Sequence, residues 1–539
     1  MTEAVIEGKV TVPKILLSDP IYPFLPEEGV KLSRYFENRG CNSRGFLLQY
    51  LFGIDISMKK KGELFPMNNL KENKMGIMPV GKLLFQMALP LALSMLVQAL
   101  YNVVDSIFVS RISDTDNYAL AAVSAAFPVQ NIMIGIATGI SVGVNALMSR
   151  ALGEGDREKV SRVAKNGMIL SAMGMVLVAL FGIFGAEWFM STQTNSSEVV
   201  AHGVSYIRII SIVSFGIFGE VLLERFLQST GRTTYTMFTQ GIGAIVNIIL
   251  DPIFIFEKGD VVFDGILTMP FGFGMEAAGA AVATVIGQIV ACILAVIFNL
   301  KRNPDVTLNF RGFRPCGKTM GQILGIGIPS IIMVAIGSIM YSTMNIVLKG
   351  FDALAPDLGL TGTTVFGTYF KLQSFIFMPI FGISNAVLAI TAYNYGAAKP
   401  ERILKTIRYG CFASVTIMTM GTALFHTAPE FLLGFFNPNA QMLEVGVPAL
   451  RTISIPFVAA GVCIIFSNVF QALGQSIHSM ISSICRQLLV LIPAAYLLSL
   501  TENIDMVWFA FPIAEIASFA YCTTMMIVLY RKKIRPLGK

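Results

Sequence analysis

Apolar residues run along this chain in long blocks, not in the short stripes of a water-soluble fold. About twelve blocks follow one another, near 83–110, 118–148, 162–186, 198–228, 233–256, 276–300, 320–350, 361–393, 403–427, 441–472, 477–499 and 506–530. A helix needs about 20 such residues to cross a bilayer, where no water is present to satisfy an open backbone. The pattern predicts an all-α integral membrane protein with twelve transmembrane helices, several long enough to tilt or protrude. Residues 1–66 break the pattern. The stretch 46–54 is apolar but too short to span, and Lys59, Lys60 and Lys61 follow it. Three readings fit this extension: a membrane-surface anchor, a polar disordered tail, or an over-extended start ahead of Met67.

The blocks also repeat. Phe226-Leu227-Gln228-Ser229-Thr230-Gly231 resembles Val469-Phe470-Gln471-Ala472-Leu473-Gly474, 243 residues further on. The same offset superposes Gln130 on Gln373, Gly139 on Gly382, Ser141 on Ser384, Gly153 on Gly396 and Gly167 on Gly410. Pro90 and Pro329 stand 239 residues apart, so the second copy has a loop four residues longer. Two six-helix bundles are predicted, at 67–310 and 311–539. An even number of spans gives both the same orientation, about an axis along the membrane normal with a central cleft between them.

Polar residues inside the blocks then stand out, because an ionised Asp at the centre of a membrane helix costs about 2.5–3.5 kcal/mol. Asn247 and Asp251 lie four apart on one helix face, and Pro252 withholds an N–H from the carbonyl of Ile248. This is a polar cluster at a weakened turn, as an ion or proton site requires. In the first block Ser94, Gln98, Asn102 and Asp105 form a stripe at steps of four, four and three. Asp105 reads either as a cavity acid or as a helix-end acid reaching the headgroups. Glu220, Glu224 and Gln228 stripe the fourth block with Arg225 beside them, as a cavity wall or as a structural Glu–Arg pair. Thr284 and Gln288 in the sixth block fit helix–helix hydrogen bonds as well as ligands.

The second copy does not reproduce these acids. Val490, Ala494 and Met344 occupy the positions of Asn247, Asp251 and Asp105, and Lys371, Gln373, Arg486, Gln487 and Glu515 appear instead. Lys371 reads equally as a structural counterion and as a gating or substrate residue. The halves share a scaffold but not a chemistry.

Composition narrows the classes. The chain is 54% hydrophobic and 14% charged, with a mean hydropathy of +0.67, whereas soluble chains are about a quarter charged. The net charge of +7 does not imply nucleic acid, because its basic residues sit in short loops between blocks. Arg150, Arg157, Lys159, Arg162 and Lys165 follow the second block, Lys301, Arg302, Arg311, Arg314 and Lys318 the sixth, Lys399, Arg402, Lys405 and Arg408 the eighth, and Arg531, Lys532, Lys533 and Arg535 the last. The intervening loops are acidic, which predicts both termini in the cytoplasm. The seven cysteines and three histidines are scattered without metal spacing. No phosphate-binding loop, nucleophile elbow or paired-histidine zinc motif appears, so ions must supply the energy. A membrane enzyme would need a clustered catalytic set that is absent.

The Pro90…Gln98…Asp105 spacing, the Asn247-x-x-x-Asp251-Pro252 run and the twofold six-helix repeat together resemble the MATE family, the multidrug and toxic compound extrusion transporters of the MOP superfamily. The phrase running from Glu224 to Arg232 resembles its MepA-like bacterial branch. The resemblance covers the chain from about Met67 onward. It implies a multi-pass antiporter, active as a monomer in the bacterial plasma membrane. Such an antiporter exports cationic, often aromatic, drugs in exchange for H+ or Na+ and needs no other cofactor. It implies a coupling cluster of Asp105, Asn247, Asp251 and Thr284, with Asp105, Asn247 and Asp251 as the place for a sodium ion and Gln98 nearby. Glu224 stands where the pattern has Asn, which adds a carboxylate to the cluster. Asp105, Asp251 and Glu224 could not all be ionised together in one cavity, so proton loading would release a cationic substrate. Gln98, Asn102, Glu220, Gln228, Gln288, Lys371, Gln373 and Arg486 are the expected substrate-cavity residues. A lipid-linked saccharide flippase of the same superfamily is the alternative; it would use cations such as Lys371 and Arg486 to hold phosphates.

Overall fold

The computed structural model describes residues 73–109, 112, 118–194, 196–263, 267–436 and 438–538, all within the unit Glu72–Lys539. The readings offered for residues 1–66 lie outside the described residues. Helices start and stop where the apolar blocks do. The first half holds α1 (Val80–Val109), α2 (Tyr118–Gly153), α3 (Arg157–Phe184), α4 (Ser197–Ile212), α5 (Phe215–Ser229), α6 (Thr233–Ile255) and α7 (Glu276–Arg302). The second holds α8 (Gly317–Lys349), α9 (Leu358–Gly396), α10 (Pro400–Thr427), α11 (Ala440–Ser454), α12 (Phe457–Ala472), α13 (Ser476–Ile484), α14 (Ile492–Ser499) and α15 (Ala510–Leu529). A π-helical segment, Cys485–Leu491, joins α13 to α14. Among the described residues the one departure from helix is a short ribbon, β1 (Val261–Phe263) against β2 (Leu267–Thr268), in the loop before α7.

Local chemistry repeats with the scaffold. Ser196 caps α4 by accepting from the Val199 N–H, and Asn439, 243 residues later, caps α11 by accepting from Met442. The fourth block of each half is broken just beyond this capped helix, by 44° between α4 and α5 and by 49° between α11 and α12. Among the described residues nine helices are long and apolar enough to span, and the two bent pairs raise the number to eleven. The remaining block became α10, which has 28 residues. It has spanning length but is diluted by threonines. The hydroxyls of Thr416, Thr419 and Thr427 return their hydrogen bonds to carbonyls one turn back, which lets a polar helix sit in an apolar setting.

The two halves meet through α1 on α9 and α2 on α8, the pairing a twofold axis demands. The first helix of each half starts in the core of the other. Leu83, Leu84, Met87 and Leu91 of α1 belong to the second-half core, while Phe108 and Val109 belong to the first. In α8, Ile323 lies in a first-half core, and Met340, Met344 and Leu348 lie in the second. Pro90 and Pro329 fall at or near these changeovers.

The seam is tightest at the end that carries the basic loops. A Cβ on Gly153 would fall on the carbonyl oxygen of Tyr393, and a Cβ on Gly396 would fall on that of Arg150. These are the same two contacts exchanged by the pseudo-twofold, since Arg150 and Tyr393 also stand 243 residues apart. Only glycine lets the ends of α2 and α9 approach backbone to backbone. The basic end is closed in this structure.

Candidate functional site

The stripe on α6 builds the centre of the site. Thr236, Thr239, Gly243, Asn247 and Asp251 are all buried on one face. The Asn247 amide Nδ2 donates to Asp251 Oδ1 at 3.0 Å, the i to i+4 bond that the spacing predicts. Asp251 is fully buried, yet its Oδ2 has no hydrogen-bond partner, and neither has Asn247 Oδ1. On α1, Asp105 Oδ1 is likewise buried and unpartnered. Asp105 and Asp251 are electrostatic neighbours, and Tyr101 lies within reach of both as well as of Glu220 and Gln98. The reading of Asp105 as a headgroup-facing acid is therefore wrong: it turns inward.

The α6–α7 register brings in Thr284. A Cβ on Gly287 would sit 3.2 Å from Asn247 Cβ, and Gly279 abuts the carbonyl of Phe254. Thr284 lies between those two levels, opposite Asp251, and is buried. Oxygen-bearing side chains from three helices thus face one place, and several of their lone pairs are unused. A buried bare carboxylate oxygen is costly, and it must be met by a proton, a cation or water.

Glu224 is placed differently. Thr239 Oγ1 donates to its Oε1 at 2.5 Å and Gln240 Nε2 to its Oε2 at 2.9 Å, so α6 holds both oxygens. Glu220, one turn earlier, is its electrostatic neighbour. The expected Glu–Arg pairing takes another form: Arg225 Nη1 donates to Gln228 Oε1 at 2.7 Å and to Asn385 Oδ1 of α9 at 2.8 Å. Gln228 is thereby buried as an acceptor for Arg225 and does not line an open cavity. Gln288 packs beside Gly216 of α5. The side chain of Asn102 lies outside the described residues.

The second-half residues do not join this cluster. Arg486, on the π-helical segment, pairs with Glu515 of α15 at 3.3 Å. Glu515 Oε1 has no partner, although the residue is buried. Lys371 is exposed, with its ammonium 5.9 Å from the centre of the Phe436 ring. Lys371 thus has an aromatic neighbour and an open side in place of a buried counterion. α9 has 39 residues, about 58 Å at 1.5 Å per residue, far more than a bilayer core. Gln373 is half-buried, and its first-half equivalent Gln130 accepts from the Tyr206 hydroxyl at 3.3 Å. Tyr101, Thr239 and Gln240 are site residues that the sequence reading missed. Tyr101 belongs to the Gln98–Asp105 stripe, and Gln240 lies two turns before Asn247, so helical spacing carried the signal.

This geometry can be set beside known proteins. The MatE family model matches the chain twice, at residues 90–253 and 329–497, one match in each half and together more than half of the sequence. The chain belongs to the MatE family. The two matches begin at Pro90 and Pro329, the prolines that align the two copies. This MatE chain is 23% identical over 459 residues to the multidrug export protein MepA of Staphylococcus saprophyticus, covering 84% of this chain and 95% of that protein. It is 25% identical to MepA of Staphylococcus aureus, covering 84% and 94%. Among solved structures it resembles a MATE protein crystallised in complex with MaD3S, with a TM-score of 0.77, 25% identity and 87% of this chain covered against all of that one. It also resembles an outward-facing multidrug resistance MATE family transporter of the MOP superfamily, with a TM-score of 0.76, 25% identity and 86% of this chain covered against all of that one. The MatE chain is thus a multi-pass membrane protein with two pseudo-symmetric six-helix bundles, and its family is one of transporters, not enzymes.

Proposed function

We propose that this protein is a secondary antiporter that exports cationic, often aromatic, compounds across a bacterial plasma membrane in exchange for H+ or Na+. The observation that carries this reading is the pair of first-half carboxylates, Asp105 and Asp251, each with a buried oxygen left bare inside an apolar bundle. Two carboxylates that repel one another in an apolar setting favour uptake of a proton or a cation. Asn247 and Thr284 add neutral oxygens, so H+ and Na+ are both served by the same residues. Gln98, Tyr101 and Glu220 extend the polar wall toward a larger cation. The names of the staphylococcal relatives, multidrug export proteins, support the same direction and cargo.

In this mechanism a cationic substrate and the coupling ion compete for one negative site. Loading a proton or sodium ion on Asp105 and Asp251 removes the charge that holds the substrate, and the substrate leaves. The halves, 67–310 and 311–539, then rock about the seam and return the small ion. The excess of Lys and Arg in the basic loops supports a cytoplasmic position for that end, and its close contacts fit an outward-directed state. Each half-cleft belongs to one chain, in keeping with a monomer. The flippase reading is weaker: Arg486 is engaged by Glu515 and Lys371 is exposed beside Phe436, which leaves no paired cations for a diphosphate.

The test is ethidium export in reconstituted vesicles under an imposed pH gradient or sodium gradient, applied separately. One of the two gradients drives export by the unsubstituted chain, and Asp251→Asn abolishes it. Export by Asp251→Asn that still scales with the gradient rules out the assignment.

A further inference from the structure

The groups that the carboxylate site leaves unused are richest at the basic end. There the one-turn helix Lys74–Ile77 precedes α1. So short a helix has no stability of its own, and it closes only the Lys74 carbonyl, which accepts from the Met78 N–H, leaving the later carbonyls to find partners elsewhere. The second half provides them. Arg402 Nη2 donates to the carbonyls of Met75 at 2.9 Å and Met78 at 2.7 Å. Lys399 Nζ donates to the Gly76 carbonyl at 3.1 Å, and Asn394 Nδ2 to that of Met75 at 3.3 Å. Arg402 is itself oriented by Nε donating to Asn394 Oδ1 at 3.0 Å. The Met75 side chain is fully buried in the second-half core.

The other side of the same turn touches the first half. Asn73 Nδ2 donates to the carbonyl of Thr230, just beyond α5, at 3.3 Å, while Asn73 Oδ1 caps the turn at the Met75 N–H, 3.0 Å away. The Lys74 chain lies over Gly231, whose φ of 81° leaves no room for a Cβ. Burial and the nearby Arg232 guanidinium lower the Lys74 ammonium below its ordinary pKa. One turn of backbone therefore bridges both halves across the Gly153–Gly396 seam.

We propose that Lys74–Ile77 is a strap that holds the basic end of the transporter shut, and that undoing it is a required step of each transport cycle. The proposal rests on the reading above that the halves rock. Contacts to charged donors outlast neutral ones, so the Asn73–Thr230 contact is the one that yields first, and the strap stays with Arg402 and Lys399. Lys399 and Arg402, which the sequence marks only as loop charges that set orientation, act here as the fastening for a neighbouring backbone.

The experiment places nitroxide labels at Lys159→Cys and Glu401→Cys, on opposite halves of the basic end, in a chain whose exposed native cysteines are serine. Distances are measured without substrate or gradient. The parent protein gives mainly the short distance. Asn73→Ala raises the long-distance fraction about fivefold, the effect of losing about one net hydrogen bond, and Arg402→Ala raises it further. Arg402 also supports the α9–α10 corner, so Asn73→Ala decides the matter if Arg402→Ala fails to fold. An unchanged distribution in Asn73→Ala overturns the strap. The measurement needs no transport, so a failed antiport reading shows as absent gradient-driven flux while the distances still respond.

Discussion

The two halves share a helix order, a capped fourth block and the bend beyond it, and differ in what they bury. The first half buries Asp251, Glu224 and Arg225 and half-buries Asp105, with a buried oxygen of each aspartate left bare. The second buries Glu515 and sets the half-buried Arg486 against it as an opposed pair. Glu515 also leaves one oxygen without a hydrogen bond, but it has a guanidinium beside it, whereas Asp105 and Asp251 have no such cation among the described residues and depend on a charge brought from outside. Under the antiport proposed above, the difference favours the first half as the place of the small ion and the second as the body it moves against.

That comparison can be broken in several ways, the strongest being to neutralise one side at a time. Asp105→Asn is expected to cut gradient-driven ethidium export about a hundredfold, equivalent to about 2.7 kcal/mol at the coupled step. Glu515→Gln is expected to leave export within about fivefold. Equal losses would erase the distinction between the halves. Next comes the seam. Gly396→Val forces a side chain onto the Arg150 carbonyl, where overpacking costs about 1–3 kcal/mol or more. Export should fall about tenfold with substrate binding retained, and Gly167→Ala, away from the seam, gives the comparison for ordinary packing damage.

A third effect is on stability. Arg486→Ala strands the Glu515 carboxylate, at about 3–5 kcal/mol for breaking a buried pair, and lowers the melting temperature measured in detergent. The double variant Arg486→Met with Glu515→Leu should recover most of that loss, because the pair as a whole is close to neutral in energy. The smallest effect is chemical. Cys316, the residue before α8, has its thiol lowered below the ordinary range by hydrogen bonds from Thr319, whereas Cys463 and Cys522 are buried. Maleimide near neutral pH should modify Cys316 well before either, as mass spectrometry of digested protein would show.

Most of the scaffold was legible because membrane helices declare themselves by length and because an offset of 243 residues persists across several of them. The bends were not, since Val213 and Ser214, where the first one falls, carry no proline or glycine to mark it. The acids were legible because Asn247 and Asp251, or Gln98 and Asp105, sit at helical spacing within apolar blocks. What holds Glu224 was hidden, because Thr239 and Gln240 lie across a turn and look like ordinary helix residues. Lys371 stayed ambiguous for a simple reason: spacing gives a residue's face, but not what packs against it. The strap left no mark at all, as Lys74-Met75-Gly76-Ile77 has neither period nor charge pattern.

Ion counterflow separates the halves most directly. Proteoliposomes are loaded with ethidium and placed without any ion gradient, and H+ or Na+ movement is recorded as the substrate runs down its own gradient. Substrate-driven ion movement is expected from the unsubstituted chain and from Glu515→Gln, and none from Asp251→Asn. Ion movement that survives Asp251→Asn, or vanishes in Glu515→Gln, would contradict the assignment of coupling to the first half.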